Sequence, residues 1–285
     1  QNSDYALVLQ TAHVSAKDFQ CMLALPYFTL GSEEITAHTS IETDAMCAAD
    51  ALHLPLMNFL FGRSGYQQSM QEFQLFSDSL FEKDLLTQLP SSKPILIIKP
   101  ANDSIPNQYE NKLLHKATFL CNSRNGVSFY SLPLSAFKSK SLPVTDNELN
   151  HSHLLQQKDY LCDTITGPVV YTHFDSTEMQ FTRSGYGALL CNTLPTSLFA
   201  ESIPVNQDTM NMELSCWIYI NPLNNFIPTF HYYQLDTSGK VVQNIWDYPV
   251  SSYNIYKNWL LLTYPITVYS PKNKIQVELM NPTTI

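Results

Sequence analysis

Aromatic and histidine side chains recur along the predicted strands in the C-terminal half of the chain. They are Trp217, Tyr219, His231, Tyr233, Trp246 and Tyr248. Aromatic rings stack on the apolar C–H faces of sugars, while polar neighbours hydrogen-bond the sugar hydroxyls. Trp217 and Tyr219 share a strand face, because successive side chains alternate across a strand. These residues predict a carbohydrate-binding surface, and the alternative is that the rings pack under a loop or against the N-terminal part.

Acidic residues and histidines supply fewer candidates for catalysis or metal binding. Glu33 and Glu34 form the best carboxylate pair for acid–base chemistry, but a glycosidase needs carboxyls on opposite sides of the scissile bond. His151 and His153 have the spacing of two ligands on one strand face, yet a zinc site needs three or four convergent ligands. The chain contains no Gly-x-Ser-x-Gly, His-Glu-x-x-His, P-loop or dinucleotide motif. We therefore assign no catalytic residue and favour a non-catalytic protein.

Composition excludes several classes of partner. The chain has 285 residues, which predicts two domains, and a hydrophobic content of 44%, which is enough for a core. Its net charge of −9 argues against nucleic acid and anionic lipid, because both are bound by clustered Lys and Arg. No run of about 18 apolar residues occurs, so we expect no membrane span in this chain. The six cysteines form no C-x-x-C pair, and we expect small buried side chains rather than disulfides.

The first 145 residues mix helix and strand signals. Apolar runs predict strands at residues 5–9, 18–26 and 94–99 and a hairpin at residues 118–130. Helical spacing predicts helices at residues 44–52, 64–76, 82–89 and 107–116. We therefore predict an N-terminal α/β (or α+β) domain over residues 1–145.

The remainder of the chain is predicted to contain a linker and then strands. Residues 146–163 are polar and turn-forming, which is typical of a linker. Over residues 164–285, strand signals recur about every ten residues, which is typical of an all-β sandwich or barrel. Residues 212–220 and 274–280 alternate apolar and polar side chains, so we expect half-buried strands. Residues 236–239 predict a hairpin turn.

Four short segments of this second predicted domain fall in a recognisable order. They are the pair Phe174 and Asp175, residues 183–190 (Arg-Ser-Gly-Tyr-Gly-Ala-Leu-Leu), residues 214–219 (Leu-Ser-Cys-Trp-Ile-Tyr) and residues 239–242 (Gly-Lys-Val-Val). Together they resemble the galactose-binding-like jelly-roll family, which includes many carbohydrate-binding modules. The resemblance implies a jelly-roll sandwich over residues 164–285. It implies no cofactor except a structural calcium ion, for which Asp175 and Glu178 match the family's position.

Two segments of the first predicted domain carry a second resemblance. They are residues 25–33 (Leu-Pro-Tyr-Phe-Thr-Leu-Gly-Ser-Glu) and residues 54–58 (Leu-Pro-Leu-Met-Asn). Both are similar to segments in the soluble tails of large bacterial multi-spanning membrane proteins of the glycosyltransferase type. The resemblance implies an extracytoplasmic location, periplasmic or at the cell surface, and a membrane-anchored parent protein. The opening Gln1 is in keeping with a trimmed or mature form.

The residues and the resemblances together predict a non-catalytic extracytoplasmic module of the cell envelope that binds glycan or docks on a partner. Two alternatives stay open: a glycoside-active enzyme that uses carboxylates of the N-terminal domain, and a purely structural domain. The surroundings of Trp217 and Tyr219 discriminate among them, because exposed rings favour binding and burial favours a structural role. A deep cleft with two carboxyls would favour the enzyme.

Overall fold

The computed structural model describes residues 4–28, 41–58, 66–77, 81–101, 107–138, 155–157, 160–162, 189, 195–203, 209–221, 228–247 and 253–280. This part of the chain is β-rich, with thirteen strands and five α-helices. The chain divides into two compact units, each formed from three segments. Unit 1 comprises residues 1–139, 219–225 and 250–260. Unit 2 comprises residues 140–218, 226–249 and 261–285.

The α-helices of the described residues all lie in unit 1. They are α1 (Tyr5–Thr11), α2 (Ile41–Leu52), α3 (Tyr66–Gln74), α4 (Asp84–Thr87) and α5 (Gln108–Leu114). The last four confirm the helices predicted from spacing. The predicted strand at residues 5–9 is wrong, because Tyr5 and Leu9 stand one helical turn apart and are both buried on one face of α1. A short apolar run has no periodicity that separates strand from helix.

A mixed four-stranded sheet forms the centre of unit 1. Its strands, in spatial order β1-β2-β4-β3, are β1 (Cys21–Ala24), β2 (Ile95–Pro100), β3 (Thr118–Asn122) and β4 (Val127–Leu132). β1 runs parallel to β2, and the other two pairs are antiparallel. The side chains of residues 95–98 are fully buried, which confirms the strand predicted from an apolar run bounded by prolines.

The hydrophobic core of unit 1 lies between this sheet and helices α1 and α2. Phe129 of β4 packs edge-to-face on Tyr5 of α1, with ring centroids 6.1 Å apart. Ala45 and Ala48 of α2 are fully buried in the same cluster, and their small side chains allow the helix to approach the core closely. Each large apolar side chain buried here stabilises the fold by about 1.5–3 kcal/mol.

The other strands belong mainly to unit 2. They are β5 (Leu155–Gln157), β6 (Tyr160–Cys162), β7 (Thr196–Ser202), β8 (Met210–Tyr219), β9 (Thr229–Leu235), β10 (Val241–Asp247), β11 (Ile255–Tyr256), β12 (Trp259–Val268) and β13 (Lys274–Met280). The spatial orders of the three sheets are β10-β9-β13-β7, β11-β12-β8 and β5-β6. The short β11, the first two residues of β12 and the last residue of β8 are part of unit 1.

The sheet β10-β9-β13-β7, which we call the platform sheet, is antiparallel throughout. Ile275, Val277 and Leu279 of β13 are buried, which confirms the alternation predicted for this strand. Tyr232 of β9 pairs with Val277 and is fully buried on the same face. The opposite face of the platform sheet therefore carries the odd-numbered residues of β9, including His231.

A tight turn joins β9 to β10 and confirms the hairpin predicted at residues 236–239. Oδ1 of Asp236 accepts hydrogen bonds from the backbone N–H groups of Ser238 (2.8 Å) and Lys240 (3.0 Å) and from the Ser238 hydroxyl (2.6 Å). The Ser238 hydroxyl, followed by these backbone donors, lowers the pKa of Asp236. Gly239 has a φ angle of +83°, a conformation that glycine adopts without a steric penalty.

The cysteines of the described residues differ in burial. Cys21 is buried, Cys47 is exposed, Cys121 and Cys216 are half-buried, and all four are free thiols. Burial raises the pKa of the Cys21 thiol to about 12. The expectation of a small buried side chain therefore holds for Cys21 and is wrong for Cys47.

The linker predicted at residues 146–163 contains regular structure, because the strands β5 and β6 pair within it. The domain boundaries at residues 145 and 164 stay a prediction, and unit 1 also takes in residues 219–225 and 250–260. In the described part of the chain, no helix is both long enough and apolar enough to cross a membrane.

Candidate functional site

The exposed face of the platform sheet carries three of the residues predicted to bind a ligand. His231 and Tyr233 project from β9, and Trp246 projects from β10. His231 is the direct cross-strand partner of Trp246, and side chains two residues apart on one strand share a face. Strand alternation and hairpin register therefore bring the three rings together.

The three rings form a continuous pile, which we call the aromatic stack. The ring centroids of His231 and Trp246 are 3.7 Å apart, and their planes differ by 16°. The rings of His231 and Tyr233 are also stacked, with centroids 4.6 Å apart and planes 26° apart. Such contacts contribute about 0.5–1.5 kcal/mol each beyond the area that they bury. The stacking therefore fixes the ring orientations before any ligand arrives.

Hydrogen bonds from the flanking strands hold the aromatic stack. Nε2 of His231 donates to Oδ1 of Asn244 on β10 over 2.7 Å, because an amide oxygen can only accept. Oη of Tyr233 donates to Oε1 of Glu278 on β13 over 3.1 Å. Burial, followed by this hydrogen bond to the carboxylate, raises the pKa of Tyr233. Tyr233 is therefore a neutral donor at physiological pH.

Two polar atoms on the same row of β9 are buried without a hydrogen-bond partner in the described part of the chain. They are Nδ1 of His231 and Oγ1 of Thr229. A buried polar atom without a partner costs about 1–3 kcal/mol. Because both atoms are buried, they are not part of the surface that a ligand on this face would contact.

Trp246 is the most accessible member of the aromatic stack. Its side chain is 46% exposed, whereas His231 and Tyr233 are half-buried. β10 is the terminal strand of the platform sheet, so no further described strand of this sheet lies beside the indole face that points away from His231. That face is available to stack on a flat apolar surface.

The other predicted site residues do not join the aromatic stack. Trp217 is half-buried on β8, which belongs to a different sheet. Tyr219 belongs to unit 1 and packs edge-to-face on Trp259, with ring centroids 5.2 Å apart. Tyr248, Asp175 and Glu178 lie outside the described residues, as do Glu33, Glu34, His151 and His153.

Three residues of this face were missed by the sequence reasoning. Asn244 shares a face with Trp246 on β10, and Glu278 is on the polar side of β13, so alternation alone could have placed both on the exposed face. Thr229 begins β9, and its buried, unpaired hydroxyl has no signal in the sequence. Cross-strand register, which local sequence does not specify, is what assembles the three residues.

Unit 1 contains a second cluster of polar side chains, and this one is buried. The hydroxyl of Tyr27 donates to Oε2 of Glu72 over 2.8 Å, and the backbone N–H of Tyr27 donates to Oε2 of Glu110 over 3.0 Å. The hydroxyl of Tyr253 donates to Oε1 of Glu110 over 3.2 Å. Glu72 and Glu110 are only 2% and 1% exposed. We call these four residues the buried glutamate network.

The surroundings of the buried glutamate network are those of a packed interior. Asn107 caps α5, accepting hydrogen bonds from the N–H groups of Tyr109 and Glu110, and so fixes Glu110 in the first helical turn. The ring of Tyr253 packs against Phe73, Phe76 and Tyr109 at centroid distances of 5.2–5.9 Å. A cleft of about 470 Å³ lies beside α1, and the residues that line it do not belong to the buried glutamate network. The carboxylates therefore hold the fold of unit 1 together.

In the described ranges, no group of three or more His, Cys, Asp or Glu side chains could hold a metal ion. Asp175 and Glu178, the predicted calcium ligands, are outside these ranges. No protein-family model, no curated protein and no solved structure matches the chain. The physical character of the exposed face therefore carries the functional argument.

Proposed function

We propose that the chain is a non-catalytic extracytoplasmic module that binds glycan through the aromatic stack. In this proposal an N-terminal α/β (or α+β) domain over residues 1–145 precedes a galactose-binding-like jelly-roll sandwich over residues 164–285. The antiparallel platform sheet, with one buried and one exposed face, supports a sandwich. The sequence resemblances support a place in the bacterial cell envelope, as the water-soluble piece of a membrane-anchored parent.

The observation that carries the proposal is an exposed indole at the end of a fixed row of rings. Trp246 presents an apolar face at the sheet edge, and a sugar ring can stack on it through its C–H groups. Asn244 and Glu278 are hydrogen-bonded to members of the stack and carry further polar atoms that can hydrogen-bond hydroxyls. An apolar surface with a few placed polar groups is what a small-molecule site requires.

Charge distinguishes carbohydrate from single-stranded nucleic acid, which is the other common ligand of stacked aromatic side chains. The bases of single-stranded nucleic acid also stack on exposed rings, but their phosphates need a positively charged groove. The chain has a net charge of −9, and Glu278 is hydrogen-bonded to the stack itself. Both repel phosphate, so an uncharged or cationic glycan is the better supported ligand.

Affinity electrophoresis and a glycan array with the intact chain test the proposal. We expect Trp246→Ala to weaken binding at least about tenfold, because a stacked Trp is typical of binding hot spots. Tyr269→Ala is the matched control, since Tyr269 is also 46% exposed but lies beyond the end of β12 and outside the aromatic stack. Equal binding by the two variants, or no glycan bound by the intact chain, would overturn the proposal.

Trp217→Ala tests whether Trp217, which the sequence also predicted to bind a ligand, contributes to binding beside the aromatic stack. Trp217 is half-buried in another sheet, so we expect this substitution to lower the melting temperature and to leave the affinity of the folded fraction unchanged. A loss of binding in a fully folded Trp217→Ala variant would move the site to β8.

The alternative of a glycoside-active enzyme has one observation in its favour, the two buried glutamates of unit 1. Both already accept hydrogen bonds from Tyr27, and Glu110 accepts a further one from Tyr253. A structural role accounts for these contacts. Glycoside hydrolysis by the intact chain that disappears in a folded Glu72→Gln variant would support the enzyme instead.

A further inference from the structure

The outer edge of β10 is apolar and mostly uncharged. Three of the seven large hydrophobic side chains that are exposed in the described part of the chain lie on this strand, namely Val241, Val242 and Trp246. Between Val241 and Trp246 there is neither a charged residue nor a proline, and these are the residues with which proteins commonly protect an edge strand. A bulge between Val241 and Gln243 disturbs one end only. The strand is therefore suited to pairing with another strand.

The backbone of β10 has hydrogen-bonding capacity on its outer side. β10 is the terminal strand of the platform sheet, and in the described part of the chain it pairs only with β9. In a terminal strand, alternate backbone N–H and C=O groups point away from the sheet and form a template for one more strand. An added antiparallel strand would hydrogen-bond to these groups.

The side chains of β10 are complementary to those of a second β10 strand. When two copies pair antiparallel about a twofold axis at Asn244, Val242 of each copy is opposite Trp246 of the other. Opposed side chains lie on the same face with Cβ atoms about 4.5–5.5 Å apart, and an aromatic ring opposite a β-branched side chain is a favourable pair. His231 occupies one face of the Trp246 ring, so Val242 of the second copy would cover the other.

The charges at the ends of the strand favour the antiparallel direction. Lys240 directly precedes β10, and Asp247 is its last residue. In the antiparallel register, Asp247 of one copy is opposite Val241 of the other and therefore next to Lys240, and the twofold axis repeats this arrangement at the other end. Parallel pairing in register would instead align like charges. Opposite charges therefore attract two antiparallel copies.

We propose that two copies of this chain associate through antiparallel pairing of their β10 strands, centred on Asn244, and that the pairing covers the outer indole face of Trp246. A sugar stacked on that face and a second copy would then exclude each other, which is the one consequence that rests on the proposed glycan binding. A single pair of seven-residue strands forms a small interface, and small interfaces are weak. We therefore expect a dissociation constant in the micromolar range.

Sedimentation velocity of the intact chain without glycan tests the association. We expect the average mass to rise towards that of a dimer as the concentration increases from about 1 to about 100 µM. Val242→Glu should weaken the association at least about tenfold, because it places a carboxylate against the negative face of the indole and removes its water. Leu7→Glu is the matched control, since it adds the same charge to an exposed apolar position on α1. A chain that stays monomeric at about 100 µM, or an equal loss in both variants, would overturn the proposal.

Disulfide trapping tests the register. In a Cys47→Ser background, which removes the exposed thiol of the described residues, Asn244→Cys places two cysteines at the twofold axis. Their Cα atoms would be about 4.5–5.5 Å apart, within the range of a disulfide. The matched control is Gln243→Cys, whose two copies would be two residues out of register and about 8 Å apart, which is too far for a disulfide. Equal cross-linking of the two variants would show that the register is wrong.

Iodide quenching of tryptophan fluorescence tests whether the pairing covers Trp246. Quenching of the intact chain should decrease as the concentration rises, because the outer indole face loses contact with solvent when dimers form. Trp246→Phe should remove this dependence on concentration, and Trp217→Phe should retain it, since Trp217 is half-buried in another sheet. Dimers with unchanged quenching would contradict the covering of Trp246. None of these measurements contains glycan, so a failed association and a failed glycan test are separate results.

Discussion

The two units each contain a tyrosine hydroxyl that donates to a glutamate, but in different surroundings. In unit 1, Tyr27 and Glu72 are joined at 2.8 Å and are both buried. In unit 2, Tyr233 and Glu278 are joined at 3.1 Å on the exposed face of a sheet. A buried group that loses its partner has no water to replace it, whereas an exposed group does. We therefore expect the first pair to govern stability and the second to govern ligand binding.

Glu110→Ala should give the largest effect on stability. The N–H of Tyr27 and the hydroxyl of Tyr253 would lose their acceptor inside unit 1, which should lower the free energy of unfolding by about 2–5 kcal/mol. Glu278→Ala is the surface counterpart and should change it by less than about 1 kcal/mol. Urea unfolding of both variants measures the difference. Similar losses in the two variants would remove the contrast between the units.

Alkaline pH should destabilise unit 1 through Tyr27. Burial, followed by the negative charge of Glu72, raises the pKa of Tyr27 well above its ordinary value of 10. The fold favours the neutral phenol of Tyr27. The stabilisation that this neutral phenol provides is complete below pH 10 and is lost as the pH rises towards the pKa of Tyr27 in the folded protein. For this one group the free energy of unfolding should fall by about 1.4 kcal/mol per pH unit above pH 10.

Chemical denaturation at pH values on both sides of 10 measures this slope. Tyr27→Phe has no proton to lose, so its stability should fall less steeply with pH than that of the unmodified chain. Tyr5, whose pKa burial and then Asp44 raise to about 12, contributes to the slope that remains. An unchanged slope in Tyr27→Phe would mean that Tyr27 ionises freely in the folded protein.

Asn244→Ala should affect binding more than folding. Oδ1 of Asn244 accepts the proton of His231 Nε2 on the exposed face, so its loss frees the imidazole to change tautomer or orientation. We expect glycan affinity to fall by roughly threefold to tenfold and stability to change by less than about 1 kcal/mol. Titration calorimetry and thermal unfolding of the same variant provide both numbers. A large loss of stability with unchanged affinity would reverse the interpretation.

Asp236→Ala should have the smallest effect. The carboxylate caps the β9–β10 turn, and its pKa is lowered from 3.8, chiefly by the Ser238 hydroxyl. Its stabilising contribution is therefore present above pH 3.8 and is lost as the pH falls through the folded pKa. Calorimetry should show a slightly lower melting temperature for the variant at neutral pH and no difference in strong acid. A difference that persists in acid would exclude the carboxylate as its cause.

Local sequence patterns predicted β13 and the β9–β10 turn of the platform sheet, but they missed β7 and did not show which strands pair. Residues 274–280 alternate so clearly that β13 has the predicted bounds, and the turn residues 236–239 specify a hairpin. The helix α1 could not be separated from a strand, because its five apolar residues contain hardly more than one helical turn. Residues 219–225 and 250–260 belong to unit 1 through contacts far apart in sequence, to which local periodicity is blind.

The candidate site was predicted residue by residue but not as an assembly. His231, Tyr233 and Trp246 were named for their chemistry, and the hairpin register brings them together. Trp217 and Tyr219 share a strand face by alternation, yet they belong to different units. Burial depends on what the rest of the chain places over a strand, so aromatic residue type alone did not distinguish an exposed ring from a packed one.

The position of Tyr253 in unit 1 has a consequence for the order in which the protein acquires structure during synthesis. Its hydroxyl binds Glu110, and its ring fills the space between Phe73, Phe76 and Tyr109. A ribosome must therefore translate past residue 253 before these contacts of unit 1 can form. Until then Phe73, Phe76 and Tyr109 lack one of their packing partners, and apolar surface left exposed in this way is the kind that chaperones bind. A chain that ends at residue 145 would lack these contacts permanently.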